Sequence, residues 1–389
     1  LYTEQNTGRE VRFERVFIRD ITMVFAEIGE VVEHGFALID VNEPGRLFQS
    51  LKRFLPVTSF KKTNVFGQEY TLEELVALLA RQMVNAAEAA LGQPIDQLIV
   101  GRPVRFSEDT EIDEAARRRL DEAWQFVGLK RVRFLEEPVA AAHHYASEAR
   151  LEPGAHLLVF DFGGGTLDVT VARESAGRAE VLGTGGLPIG GDLLDSRIME
   201  TRIAPLFGRG AHYDGNLPVP SHLFARLRSW QSIVELNRPD RLELIRDARR
   251  TSDRPDALAA FEELVTRNYG QALFRAIEDA KIALSDADVA EVRLRCGLID
   301  LAQEIKRHEF EAAIGTQVRA ARQLVLDVIA AAGRELGQIN LVLTTGGSSL
   351  IPAFRQMLHE ALPRAQLAET DTFTSVAAGL ALAGAHESF

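Results

Sequence analysis

Residues 157–171 read LLVFDFGGGTLDVTV, a spacing of groups that can hold a phosphate. An apolar run ends in Asp161, Gly163, Gly164 and Gly165 follow, and Thr166 and Asp168 complete the segment. The run reads as a fully buried strand. Consecutive glycines let the backbone reverse sharply and leave amides with no side chain in front of them. An arc of bare amides cradles phosphate oxygens. Thr166 adds a hydroxyl donor, and Asp161 and Asp168 sit where a hydrated Mg²⁺ would neutralise phosphate charge. A second apolar stretch follows at once, so the loop joins two strands, unlike the strand-to-helix loops GxxxxGKS/T and GxGxxG. Alone, the glycine triplet reads equally well as a Gly-rich hairpin beside a solvated Asp.

Other polar residues could serve the same ligand, and each has a plainer reading. Glu137 precedes Pro138 at the start of a helical stretch, where a carboxylate is favoured by the helix N-terminus. Lys52 lies in a helical turn, where a lysine is ordinarily solvated. Glu278, Lys281 and Ser285 fall on one face of a helix, as a surface ion pair would. Gly346, Gly347 and Ser348 follow an apolar strand and permit close approach of a ligand. Gly190 and Gly191 precede Asp192, a plausible turn before a capped helix. His143 and His144 are adjacent on a helix and point different ways, which suits packing or surface roles better than one metal.

The elements that must position these groups follow from pattern. The first 60 or so residues are mixed, with alternating apolar pieces such as 10–19. Thr71 caps a long amphipathic helix, Glu74 completes a capping box, and the helix runs to Leu91 before Gly92. Residues 96–101 predict a short buried strand, 113–127 a helix closed by Gly128, and 130–137 another strand. Pro138 opens a helix as a first-turn proline does. After the Asp161 hairpin, 193–311 reads as mainly helical, 317–332 as a long helix, and 339–345 as a buried strand before a helix near Pro352. Helix, strand, helix recurs in both halves as a weak internal symmetry.

Taken together these words resemble the actin, hexokinase and seventy-kilodalton heat-shock ATPase superfamily, most closely its heat-shock branch. The apolar strand with DFGGGTLDVTV is similar to the family's second phosphate loop. Residues 134–145, FLEEPVAAAHHY, resemble the connecting segment whose Glu helps hold the metal's water shell, which implies that role for Glu137. Residues 50–55, SLKRFL, resemble the segment whose Lys positions the attacking water and steadies the γ-phosphate, which implies Lys52. Residues 277–286 imply ribose contacts from Glu278 and Lys281 and an adenine contact from Ser285. Ile282 and Leu350 stand where the family places arginines that stack on the base, and Phe373 stands where it has an Asp. Residues 341–354 resemble the adenosine loop, with Gly346, Gly347 and Ser348 at the nucleoside. Residues 187–198 resemble the segment whose glycines touch phosphate, here Gly190 and Gly191, and whose Asp residues orient the lobe.

The resemblance implies an α/β, two-lobed, actin-like (ribonuclease H-like) ATPase fold with nucleotide between the lobes. Lobe I is expected at 1–152 plus 369–389, with a small subdomain near 10–70. Lobe II is expected at 153–368, with a mainly helical subdomain near 193–316. Nothing before Phe13 reads as the family's N-terminal Asp-x-Gly-Thr-Thr hairpin, so lobe I is expected to lack it, with hydrolysis by this chain impaired. The sequence stops at Phe389, so no peptide-binding domain is expected, which resembles the lone-ATPase-domain, YegD-like branch. The implied function is Mg-ATP and Mg-ADP binding with slow hydrolysis coupled to lobe closure, as a chaperone-like protein with an unidentified protein partner or co-chaperone. A nucleotide-responsive binding module without useful turnover and a small-molecule kinase of the same fold are the alternatives.

Composition bounds the rest. The chain has 389 residues, enough for more than one core. Its net charge of −12 argues against broad nucleic-acid binding, which needs basic surface. Cys296 is the single cysteine, which excludes an intramolecular disulfide and suits a reducing compartment. No apolar run of membrane-spanning length and no signal peptide is read, so the expected location is cytoplasmic, without membrane contact. The sequence opens at Leu1 without Met and is expected to be a fragment or a trimmed chain.

Overall fold

The computed structural model describes residues 13–25, 29–40, 51–65, 68–147, 152–175, 178–267, 269–369 and 375–386. It opens with an antiparallel hairpin of β1 (Phe13–Phe25) and β2 (Gly29–Asp40), where sequence patterning left the assignment open. A 3-10 turn, Leu51–Phe54, and the short ribbon β3 (Thr63–Val65) and β4 (Gln68–Tyr70) lead into α1 (Leu72–Leu91). The expected capping box is formed. Thr71 Oγ1 accepts from the Glu74 amide, and the Glu74 carboxylate accepts from the Thr71 amide. Gly92 ends the helix in the left-handed region at φ +68°.

The strands β5 (Gln97–Arg102) and β6 (Arg131–Glu136) pair in parallel on either side of α2 (Thr110–Val127). α2 begins three residues before the expected start, because the Asp109 carboxylate caps the amides of Glu111 and Ile112. β5 is only half-buried, not fully buried as its apolar run predicts. α3 (Glu137–Ser147) then starts with Pro138 in its first turn.

β7 (His156–Phe162), β8 (Leu167–Ser175) and β9 (Arg178–Leu187) form an antiparallel meander. α4 (Gly191–Ile198) follows. Next come the two-residue strands β10 (His212–Tyr213) and β11 (Leu217–Pro218), and α5 (Ser221–Ala225), α6 (Trp230–Ile233), α7 (Pro239–Thr251), α8 (Pro255–Thr266) and α9 (Gly270–Asp286). The expected helical run is interrupted by a hairpin of β12 (Val289–Cys296) and β13 (Ile299–Lys306). Its signal was a period of two in VAEVRLRC, with Ala290 and Val292 buried between exposed neighbours. α10 (Arg307–Ala313), α11 (Gly315–Ala331), β14 (Ile339–Thr345), α12 (Pro352–Ala361), β15 (Gln366–Glu369) and α13 (Ser375–His386) complete the chain. The main sheet has the order β15-β14-β7-β8-β9, with β14 parallel to β7 and to β15.

Three apolar clusters hold these layers. β7 feeds two of them. Leu158, Phe160 and Phe162 enter the largest cluster with α4, α9, α11 and α12, while Leu157 and Val159 meet Ala141, Ala142 and Tyr145 of α3. Coverage of both faces explains why residues 157–160 of β7 are apolar without alternation. Each fully buried Leu or Phe there contributes about 1.5–3 kcal/mol by leaving water. Phe162 also meets Phe354 edge-on, with ring centroids 4.7 Å apart. The third cluster joins Leu51, Leu55, Leu72, Leu75, Phe106, Leu120 and Trp124 around α1 and α2. α13 lies against α3 so closely that a Cβ at Gly379 would stand 1.8 Å from the Ala140 carbonyl oxygen. No helix among the described residues is long and apolar enough to cross a membrane.

Candidate functional site

The β7–β8 register places Asp161 directly opposite Asp168. Both carboxylates are buried, Asp161 at 9% and Asp168 at 1% exposure. Like charges across a strand pair repel, and burial strips their solvation. Such a pair is costly unless it is protonated or given positive charge. Burial, then the charges of Glu137 and Asp168, push the Asp161 carboxyl well above the usual range, with Lys52 acting in the opposite direction. Burial and the charge of Glu137 push Asp168 up to about 7, against the Thr166 hydroxyl, the Val104 amide and Lys52.

The hairpin tip is closed by the Gly163 amide, which donates to the Thr166 carbonyl at 3.1 Å. Gly163 therefore does not offer an open donor as its glycine run predicts; among the described hydrogen bonds, none uses the amides of Gly164 or Gly165. A Cβ at Gly163 would meet nothing within 4 Å, so space over the tip is open. Behind the tip the backbone is tightly packed. The Gly191 amide donates to the Gly163 carbonyl at 3.0 Å and the Asp192 amide to the Gly164 carbonyl at 2.9 Å. A Cβ at Gly190 would stand 2.3 Å from the Gly164 carbonyl oxygen, so only glycine allows that approach. Ser348 spends its hydroxyl on the Gly163 carbonyl at 3.0 Å. Gly346, at φ +80°, turns the chain there, and its Cβ would lie 2.4 Å from the Phe162 carbonyl oxygen.

The remaining charges arrive from the α1–α2 side. The Val104 amide, just beyond β5, donates to Asp168 Oδ1 at 2.8 Å. Glu137 begins α3 at the end of β6, beside Gly101, and forms an ion pair with Lys52 of the 3-10 turn. Lys52, Glu137, Asp161, Thr166 and Asp168 are thus brought to one place, with Gly163–Gly165, Gly190, Gly191, Gly346 and Ser348 behind them. Among the described residues, no group of three or more His, Cys, Asp or Glu could itself hold a metal ion. The donor set fits a hydrated Mg²⁺ held through water better than a directly ligated ion.

The residues expected at a nucleoside divide. Lys281 is buried and turns inward. Its Nζ lies 2.9 Å from Asp195 Oδ1 and donates to the Gly191 carbonyl at 3.3 Å, so its ion partner is Asp195, not its helix neighbour Glu278. Burial pushes Asp195 up to about 7, with Lys281 acting against that push and Glu278 and Asp192 adding to it. Glu278 is exposed, Ile282 is 58% exposed, and Ser285 and Leu350 are half-buried. Gly347 is exposed with nothing within 4 Å of its Cβ position. Phe373 lies outside the described residues.

The sequence reading covered Asp195 only among the Asp residues that the 187–198 resemblance gives to lobe orientation, not as the partner of Lys281, and it did not point to the Val104 amide. Asp195 carried a signal: Gly191, Leu194, Asp195 and Ile198 form the buried face of α4, and a carboxylate on such a face needs a partner. The Val104 amide carried none, since a backbone donor has no residue type.

Comparison with known proteins gives the family. The family model described as Hsp70 protein matches residues 57–216 and 265–387. The chain is similar to the chaperone protein DnaK of Mycoplasma mycoides subsp. mycoides, 27% identical over 337 residues, covering 86% of this chain and 48% of that protein. It is also similar to DnaK of Deinococcus proteolyticus, 27% identical over 308 residues, covering 77% and 40%. A chaperone protein HscA homolog of Shewanella denitrificans is 26% identical over 305 residues, covering 78% and 39%. The chain spans about half the length, or less, of these curated relatives. Mixed α/β architecture, the hairpin with its paired carboxylates and a family match over most of the sequence lead to one statement: the chain belongs to the Hsp70 family.

Proposed function

We propose that this chain binds Mg-ATP and Mg-ADP in a cleft between two actin-like lobes and hydrolyses ATP slowly, as the ATPase part of a chaperone. The carrying observation is the buried cross-strand pair Asp161 and Asp168, faced by Glu137 and Lys52. In this reading lobe I comprises 1–152 plus 369–389 and lobe II 153–368. The separate apolar clusters around α1–α2 and around the β7–β8 sheet support that division, while a further cluster joins α3 to β7, β8 and β14 across it. Val104 donating to Asp168 is one contact across it.

The Gly164 and Gly165 amides bind phosphate oxygens, and the Thr166 hydroxyl, which donates to Asp168 in the nucleotide-free chain, turns to them when nucleotide is bound. A Mg²⁺ ion would supply the positive charge that phosphate and the carboxylates share, its waters held by Asp161, Asp168 and Glu137. Lys52 steadies the γ-phosphate and the attacking water, so catalysis is by positioning and charge neutralisation. Glu278, Lys281 and Ser285 serve the nucleoside, with Ile282 and Leu350 against the base. Closure of the lobes on nucleotide is the output passed to a co-chaperone or other protein partner.

Calorimetry with Mg-ADP on the wild type, Asp161→Ala and Gly164→Val tests the site. Weakened binding in both variants is expected; unchanged affinity in both would remove the assignment. Phosphate release without an acceptor, compared with transfer to a sugar or acid, separates an ATPase from a kinase.

A further inference from the structure

The Lys52 turn is a single short 3-10 segment, Leu51–Phe54. Outside the bonds of the 3-10 segment itself, residues 51–60 carry few backbone bonds: Leu55 donates to the Lys52 carbonyl at 3.3 Å, Val57 to the Phe54 carbonyl at 2.9 Å, and Phe60 to the Val57 carbonyl at 3.0 Å. Leu51 and Leu55 are buried, yet the lysine between them is half exposed. A short turn of this kind would leave Lys52 free to wander.

Leu51 and Leu55 anchor the turn's apolar side, and one side chain from another element adds a polar restraint on its carbonyls. Arg119 projects from α2, and its guanidinium fork reaches four carbonyls of this turn. Nη1 donates to Phe54 at 3.4 Å, to Leu55 at 3.1 Å and to Val57 at 3.1 Å, and Nη2 donates to Phe60 at 3.1 Å. Its Nε donates to the carboxylate of Glu73, in the first turn of α1. The pair is largely withdrawn from water, with side-chain exposures of 15% and 12%. Although burial alone would raise it, the Glu73 carboxyl is held below its usual range by Arg119, its own backbone amide and Thr71. Both ends of the clamp are thereby tied to the rigid α1–α2 layer.

We propose that Arg119, anchored by Glu73, is a positioning residue that fixes the 51–60 turn so that Lys52 stays paired with Glu137 at the mouth of the Asp161–Asp168 hairpin. This rests on the reading of that hairpin as the nucleotide site, but the positioning itself is measurable without nucleotide. A planar fork with fixed donor directions suits the task, because four carbonyls and one carboxylate converge on it at once. A lysine has three donors on a flexible stem and cannot meet this set.

The experiment is competitive acylation of the chain's lysines, read by mass spectrometry, in wild type, Arg119→Gln and Glu73→Gln. Lys130 is the internal reference, since it is exposed and paired with Asp96 away from the turn. In Arg119→Gln the Lys52 acylation rate should rise about fivefold relative to Lys130, the scale of losing a partly exposed ion pair. Glu73→Gln should give a smaller rise in the same direction. Guanidinium at millimolar concentration, added to Arg119→Ala, should slow Lys52 again, whereas urea should not; a general loosening of the fold would show no such selectivity. An unchanged Lys52 to Lys130 ratio in Arg119→Gln, with cooperative thermal unfolding retained, overturns the proposal. Should Arg119→Gln fail to fold, an unchanged ratio in Glu73→Gln does the same. Mg-ADP calorimetry on the same samples keeps the two ideas apart. Absent binding by the wild type removes the nucleotide reading, while the acylation ratios decide the clamp.

Discussion

Two buried carboxylates in this molecule meet opposite treatment. Asp195 has a lysine ammonium at 2.9 Å and a role inside the fold. Asp168, equally buried, has backbone and hydroxyl donors but faces a second carboxylate, Asp161, across the strand pair. The ammonium that acts on it, Lys52, is engaged with Glu137. Burial pushes both Asp195 and Asp168 up to about 7, so burial alone does not distinguish them. The counter-charge does. Asp195 is given its own cation, and in the proposed function the pair set against each other takes its cation from outside.

The largest expected effect tests the first half of that contrast. Lys281→Met leaves Asp195 buried without its cation and should cost about 3–5 kcal/mol of stability. The same loss does not follow if Asp195 is replaced by Leu at the same time, because removing both charges lifts the desolvation cost. Chemical denaturation of both variants checks this. With Lys281 gone the folded-state pKa of Asp195 rises further above its unfolded value, so the loss should grow with rising pH. A loss independent of pH would show that packing, not charge, is at stake.

The second half predicts the opposite sign. Asp168→Asn should stabilise the nucleotide-free chain by about 1–3 kcal/mol at slightly alkaline pH, since a neutral amide removes the repulsion. It should also remove the Mg²⁺-dependent part of nucleotide affinity. The wild-type pH dependence follows with its sign. The folded state keeps a proton on Asp168 up to about 7, while the unfolded chain releases it near the ordinary value of 3.8. Stability from this group is therefore present at low pH and lost as pH rises from about 4 through about 7. Thermal melts of wild type and Asp168→Asn should diverge across that window, and parallel curves would break the comparison.

Binding of Mg-nucleotide should reverse the upward push on Asp168 and release protons near neutral pH. Calorimetry in buffers of different ionisation enthalpy reads this directly. Zero proton exchange would mean that no cation comes to the pair.

The smallest effect lies at the base. If affinity is concentrated at the charged hairpin, the apolar Ile282 and Leu350 should discriminate bases weakly, without the cation–π contribution an arginine would add. ADP and GDP should then bind within about tenfold of each other, or about 1.4 kcal/mol. A preference of about a hundredfold or more in a competition titration would show that another residue reads the base.

Much of this was legible along the chain because its causes are local. The Thr71–Glu74 capping box, the left-handed glycines at 92 and 128, the two strands around Gly163–Gly165 and the β14-to-α12 turn all follow from periodicity and turn chemistry within a few residues. So did the family, since its words survive as short contiguous stretches. The β12–β13 hairpin was also written in its alternation, but was masked by the helices around it. Tertiary structure alone decided the rest. Lys281 chose Asp195 over Glu278, the Val104 amide reached Asp168, β5 stayed half-buried despite its apolar run, and Arg119 gathered the carbonyls of the Lys52 turn. Each depends on which distant surfaces meet. A side chain's pattern states how it wants to be buried; the partner that satisfies it there is set only when the layers close.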